Sequence, residues 1–228
     1  MIHTTRRILA GREFLHVSVA GQPAQSPRQE SRKAIEDALA AISDAGFSTQ
    51  ALIRSRLFAR DAQLRRIASD VRLETLVGPL RSASSSYVDA RRLPPQSSMS
   101  IDLVAMRANA DAQKLVREYE PQIAPPMFVT LDGMAYLSGV TDMSDDFDAQ
   151  LVCIRDTIKQ SVQLAGGDVG AIVNIDAHIS RAVNVDHAWR AIGSLFPAYN
   201  ASISLTQVDG YSAPQKLVEL ETTLVISS

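Results

Sequence analysis

Cysteine, aromatic residues and long apolar runs are all scarce in this chain, and each scarcity excludes something. Its 228 residues include one cysteine, one tryptophan and four histidines, and only 5% are aromatic. A lone Cys153 rules out an internal disulfide and any cysteine-cluster zinc site. The histidines His3, His16, His178 and His187 are dispersed, so neither a metal nor another cofactor is expected. With so few aromatics there is no base-stacking platform, and nucleic acid is not an expected partner. No apolar run reaches the roughly 18 residues of a membrane helix. The stretch Ile8-Leu9-Ala10 is far shorter than a signal peptide's apolar region. The expectation is a cytoplasmic protein from a reducing compartment, without membrane contact. No Ser-His-Asp order, HExxH, GxGxxG or P-loop motif occurs.

What is present is an ordinary globular composition, 46% apolar and 21% charged, divided unevenly. Residues 1–110 carry 16 Lys and Arg, 15 of them Arg, against 10 Asp and Glu; residues 111–228 carry 7 against 15. The formal charges, about +6 and −8, imply two units with different roles. Either the halves attract each other across an interface, or the arginine-rich half holds a small anion.

The two halves follow one plan. In the first, Glu13–Val19 is a strand. Ser26 and Pro27 then open a helix with Ile35, Leu39 and Ile42 at helical spacing, and Gly46 ends it. A strand over 51–58, a helix capped by Asp61, a short strand near 85–90 and a strand over 99–106 complete a β-α-β-α-β-β unit. In the second half, Asp132-Gly133 turns a hairpin. A helix over about 146–165, a strand over 171–179, a helix over 185–195 and strands over 201–208 and 216–226 follow. Matching landmarks lie about 117–122 residues apart, the period of a domain-scale duplication. The expected boundaries are 1–108, a linker over 109–126 with a short helix within 111–120, and 127–228. Cys153 is expected as a buried thiol and Trp189 as core. Each half is an α+β unit too small to cover both faces of its own sheet. The sheets of several units should therefore pack together in an oligomer.

These residues carry a family likeness. Ala135-Tyr136-Leu137-Ser138-Gly139, Leu164-Ala165-Gly166-Gly167, Phe196-Pro197-Ala198 and Val218-Glu219-Leu220-Glu221 resemble motifs of the RidA/YjgF/YER057c/UK114 family. In the first half Ala40–Gly46 and Arg91–Pro94 are the closest matches. The resemblance implies two tandem chorismate-mutase-like units and a trimeric, barrel-like assembly, here a homotrimer of tandem chains. It also implies sites in clefts between units that hydrolyse enamines or imines. The family's arginine, which grips a substrate carboxylate, is replaced by Tyr199 (followed by Asn200) in one half and by Ser85 in the other. Glu221 matches its catalytic glutamate, whereas Val104 replaces it in the first half, with Asp102 two residues earlier.

Chemistry of that kind needs a carboxylate to move protons and a donor set to hold an acid group. Glu221 is the expected catalytic residue, with Glu219 on the same strand face; both stand equally as solvated strand residues. Arg81, Ser84, Ser85 and Tyr87 are the expected substrate-binding donors of the first half, and Tyr199 and Asn200 those of the second. Arg54 and Arg56 share a strand face and form either a cleft wall or, the stronger expectation, a surface ladder. Asp176 and His178 form an acid/base pair or a structural hydrogen bond. The function so implied is hydrolytic deamination of a small anionic enamine or imine with release of ammonia, 2-aminomuconate from aromatic degradation being one candidate. A small-carboxylate-binding module and a chorismatase-like hydrolase or lyase are the alternatives.

Overall fold

The computed structural model describes residues 2–195 and 201–226. The first half contains β1 (Ile2–Leu9), β2 (Arg12–Ala20), α1 (Pro27–Asp44), β3 (Leu52–Ala59), α2 (Ala62–Thr75), β4 (Ala83–Val88) and β5 (Met99–Met106). Ser26 is extended and its side chain accepts from the Gln29 N–H, with Pro27 in the first turn, so α1 starts where its cap chemistry dictates. Asp61 caps α2 on the Leu64 N–H. The sheet order is β1-β2-β5-β3-β4, antiparallel except for the parallel pair β3–β4. Leu15, Val17, Ile35, Ile42, Leu57 and Leu103 form the core between one sheet face and the helices.

The second half contains β6 (Leu115–Arg117), β7 (Phe128–Leu131), β8 (Met134–Leu137), β9 (Val140–Thr141), α3 (Phe147–Leu164), β10 (Ile172–Ser180), α4 (Val185–Leu195), β11 (Ser202–Val208) and β12 (Val218–Val225). Its sheet runs β11-β10-β12-β8-β7-β6, with β9 beside β12. The series β7-β8-β12-β10-β11 repeats β1-β2-β5-β3-β4, including one parallel pair at the end. The duplication extends to buried polar anchors. Glu30 of α1 accepts from Ser98 just before β5, at 2.6 and 2.8 Å. Gln150 of α3 accepts from Leu217 just before β12, at 2.9 Å. In each half the first helix thus positions the entry of the central strand.

Several expectations need correction. The first half begins with β1, turned by Ala10-Gly11 with both residues at positive φ. Thr4-Thr5-Arg6-Arg7 has no apolar alternation because β1 is a largely exposed edge strand. Within 111–120 the chain forms no helix but β6, which pairs with β7. Cys153 is exposed, because Leu151, Ile154 and Ile158 take the buried stripe of α3. Trp189 is 52% exposed, and Ala188 and Ile192 bury the inner face of α4.

The expected sheet-on-sheet packing occurs within one chain. Phe14, Ile53, Val104 and Met106 of the first sheet pack against Val129, Leu131, Met134 and Tyr136 of the second. A smaller apolar cluster joins Phe58, Tyr87 and Leu93 to Val208 and Tyr211. Val88 and Gly210 exchange backbone hydrogen bonds of 2.8 and 3.0 Å between the halves. Because the halves share this core, they should unfold together. Ile53→Ala deletes a fully buried side chain there and should cost about 2–5 kcal/mol. Urea denaturation should show one transition moved to lower midpoint; two separated transitions would mean that the halves fold independently.

Candidate active site

Strand alternation builds the polar centre of this interface. In the first sheet Arg56 lies beside Ser85, and Phe58 beside Tyr87. In the second, Asp176 lies beside Glu221, and His178 beside Glu219. Packing the sheets brings Arg54, Arg56, Ser85 and Tyr87 onto Glu221. Glu221 is 1% exposed. Arg54 pairs with its Oε2, and Arg56 Nε donates to both carboxylate oxygens at 2.8 and 3.0 Å. Ser85 Oγ donates at 2.6 Å and the Tyr87 hydroxyl at 3.0 Å. Arg56 also pairs with Asp176, which accepts from Ser204 at 2.7 Å. Burial alone would raise the Glu221 pKa, but Arg56 and Arg54 override it and hold the group well below the carboxylate range. Arg54 and Arg56 are thus a buried ion cluster, not a surface ladder.

His178 stacks on Tyr87 with ring centroids 4.1 Å apart. Its Nδ1 lies 4.0 Å from Glu221 and has no hydrogen-bond partner. Burial pulls its pKa down to about 4, so the imidazole is neutral at physiological pH. Asp176 is drawn to Arg56, so these two residues are neither an acid/base pair nor a mutual hydrogen bond.

Glu219 differs from its neighbour. It is 6% exposed, and among the described residues no Lys, Arg or His pairs with it within 4 Å. Burial, reinforced by the negative Glu221, pushes its pKa up to about 7; Tyr87, Lys216 and Arg72 oppose the rise. Its carboxyl packs directly against Gly139, where a Cβ would stand 1.9 Å from Glu219 Oε1.

Glu219 opens on a cavity of about 570 Å³ between the unlike halves. The second half supplies Gly139, Thr141, Lys216 and Glu219; the first supplies Arg65, Ser69, Arg72 and Ser84–Ser86. Residues Tyr119 and Ile123 to Pro125 lie over the same space. Arg72 Nη1 donates to the Ser85 carbonyl at 2.5 Å, and burial pulls its pKa to about 10, leaving it cationic. Lys216 donates to Ser212 Oγ at 2.8 Å. A second cavity, about 520 Å³, lies beside the ion cluster and is lined by His3, Arg7, His16, Asp102, Asn174 and others.

The expected site residues divide accordingly. Glu221, Ser85 and Tyr87 come together, but as one saturated network; Glu221 lines neither cavity. Its oxygens are occupied, so it serves as the anchor between sheets. Ser84 is held at the cleft, its N–H on Ser138 Oγ at 2.9 Å and its carbonyl accepting from Gly139 N–H at 3.2 Å. Arg81 does not reach the cleft, because its guanidinium is engaged by Glu118 and the Ala124 carbonyl. Tyr199, Asn200 and the 196–198 motif lie outside the described residues. In the first half, Asp102 faces Arg56 as Glu221 faces Asp176. Asp102 therefore replaces Glu221, and Ser100 replaces Glu219. Glu219, Arg65, Ser69, Arg72 and Lys216 are among the cleft residues that sequence reasoning left unassigned; the signal for Glu219 was its place one pleat from Glu221.

Glu221→Gln should leave two buried guanidiniums short of one anion and cost about 3–5 kcal/mol in urea denaturation at pH 7. Glu219 behaves oppositely. Its folded pKa lies above the unfolded value of 4.5, so its favourable contribution is complete below about pH 4.5 and is lost as pH rises to about 7. Glu219→Gln should therefore melt a few degrees above the wild type at pH 8 and show no such gain at pH 4. A variant less stable than wild type at pH 8 would contradict the protonated state assigned here.

No protein-family model matches the chain, and no curated protein matches it. Solved structures do. A chorismatase superimposes with a TM-score of 0.68 over 96% of this chain and 79% of its own, at 11% identity. A YjgF/YER057c/UK114 family protein from Mycobacterium tuberculosis aligns with 50% of this chain and 100% of its own, at 20% identity and a TM-score of 0.44. A YjgF family protein from Neisseria meningitidis aligns with 51% of this chain and 97% of its own, at 14% identity and a TM-score of 0.43. The internal repeat of strand order and the whole-chain superposition agree: the chain has a chorismatase-like fold, built from two α+β units in tandem.

Proposed function

We propose that the chain is a hydrolase that deaminates a small anionic enamine or imine, with Glu219 as the general acid and base. The observation that carries this is a buried carboxyl at the wall of a cation-lined cavity, with its pKa pushed up to about 7. A group that titrates near the working pH can both give and accept a proton. Arg65, Arg72 and Lys216 supply positive potential for a carboxylate substrate, and Ser84–Ser86 supply polar edges.

The steps balance on one carboxyl. Protonated Glu219 gives its proton to the β-carbon of the enamine, whose nitrogen lone pair moves in to form the iminium. Water adds to the iminium carbon as Glu219 takes back a proton. Glu219 then gives that proton to the carbinolamine nitrogen and takes the hydroxyl proton as the C–N bond breaks, so ammonia leaves, a carbonyl product forms and the acid is regenerated. An imine substrate enters at the water-addition step. 2-Aminomuconate, an enamine dicarboxylate, is one candidate. An enol ether would use the same first step, proton transfer to an electron-rich alkene carbon, so chorismate joins the test panel beside the enamines.

The experiment measures ammonia release from 2-iminobutyrate, imines of aromatic amino acids and 2-aminomuconate generated in situ, and pyruvate release from chorismate. The expected result is acceleration over the spontaneous rate with one nitrogen-bearing member. Glu219→Gln should lower kcat by roughly 10²–10⁴-fold. Since the acid form is required, kcat/KM should fall about tenfold per pH unit above about pH 7. Glu221→Gln should move that limb to lower pH, because removing the neighbouring negative charge favours ionised Glu219. Acceleration of chorismate cleavage alone would redirect the assignment to an enol-ether hydrolase. No acceleration with any member would leave a small-carboxylate-binding module.

A further inference from the structure

Arg65 and Ser69 stand four residues apart on α2, on one helix face, and both line the Glu219 cavity. Arg65 Nη1 donates to Ser86 Oγ at 3.0 Å, which fixes the plane of the guanidinium. Its Nε is buried without a partner, and no described residue accepts from Nη2. Nε and Nη2 form the edge that meets both oxygens of a carboxylate side-on. Arg81 shows that edge occupied, with Nε and Nη2 both on Glu118. On Arg65 the same edge meets no anion among the described residues. Ser69 Oγ is likewise buried with no partner. Two unsatisfied donors on one helix face, beside one cavity, are unusual in a folded protein, where buried polar groups are almost all paired. Burial lowers the Arg65 pKa, and Glu219 and Asp70 oppose that shift, so the cation sits desolvated beside the proposed acid.

We infer that Arg65 and Ser69 form the carboxylate subsite of the cleft. The inference rests on the function proposed above and narrows its substrate class to small unsaturated acids. The carboxylate is held on α2 while the double bond reaches Glu219. Arg66, Arg72 and Lys216 place further cations on the same cavity, which favours a dicarboxylate over a monocarboxylate. The roles expected for Arg81 at the sequence level pass to Arg65, whose guanidinium is held in place by Ser86 with its Nε buried and unpartnered at the cleft, whereas Arg66 of the same cavity is exposed.

The test is calorimetric titration of the full chain with cis,cis-muconate, an unsaturated dicarboxylate with no nitrogen to lose, and with sorbate as its monocarboxylate counterpart. The wild type should bind muconate more tightly than sorbate. Arg65→Gln should weaken muconate binding roughly 10–100-fold, and Arg65→Lys, which keeps the charge but loses the fork, should fall between. Ser69→Ala should weaken it by about 3–10-fold. Each variant is first shown to keep the wild-type melting temperature within a few degrees. Unchanged affinity in a folded Arg65→Gln protein overturns the subsite, as does a wild type that binds neither acid. The enzymatic proposal fails separately: muconate binding that depends on Arg65, without hydrolysis of any panel member, keeps the subsite and removes the hydrolase.

Discussion

The buried pairing of Glu221 with Arg54 and Arg56 decides both how the halves meet and what the cleft can do. Two sheets pressed face to face need an apolar contact, and this contact is apolar at Phe14–Tyr136 and at Phe58–Tyr211. Between these patches lie four ionised groups. Their desolvation is expensive, and mutual attraction repays it only when charges balance and hydrogen bonds are complete. Here they do: Arg54 and Arg56 face Glu221 and Asp176, and Ser85, Tyr87 and Ser204 fill acceptor positions that the arginines leave. The opposite net charges of the two halves are resolved in part at this point. The cluster also gives a reason for one register between the sheets, since any slip would strand a charge.

The same balance explains Glu219. Both arginines of the cluster are consumed by Glu221 and Asp176, so a third carboxylate on that face has no counter-ion. Its ionised form would be desolvated and would stand two residues from a permanent anion. Protonation near neutral pH follows. In the proposed reaction the acid is thus tuned by the anchor. That division of labour between two glutamates one pleat apart resembles other sites in which paired carboxyls are driven to opposite states by their surroundings.

The sequence made the regular elements legible wherever local chemistry determines them. Ser26-Pro27 and Asp61 start helices through their own caps, Asp132-Gly133 turns a hairpin, and the 120-residue spacing reveals the repeat. Elements set by partners were less visible. β1 is charged and exposed, and it forms a strand because β2 offers an edge. β6 forms within a presumed linker because β7 is beside it. The site shows the same limit. Strand alternation places Glu219 and Glu221 on one face, but it does not say which of them meets arginines from a sheet 165 residues away in sequence. The sequence points to Arg81, just before the serine strand, and does not single out Arg65; only the position of Glu118 shows that the Arg81 guanidinium is already occupied.

Duplication within one chain bears on how such a site can arise. In an assembly of identical units, every cleft has the same residues, and a change on one wall appears in all. In a fused pair, the walls are independent. The first half has Ser100 and Asp102 where the second has Glu219 and Glu221, so only one of the two equivalent strands carries the carboxyl whose pKa is raised. The first half in turn contributes the cationic helix face and the serine strand to the cleft that the second half's acid overlooks. An acid with a shifted pKa is costly to keep in a folded protein, because its ionised form is destabilising. Confining it to a single copy, next to an ion cluster that locks the two halves together, keeps that cost to one site while leaving the other strand free to serve the fold.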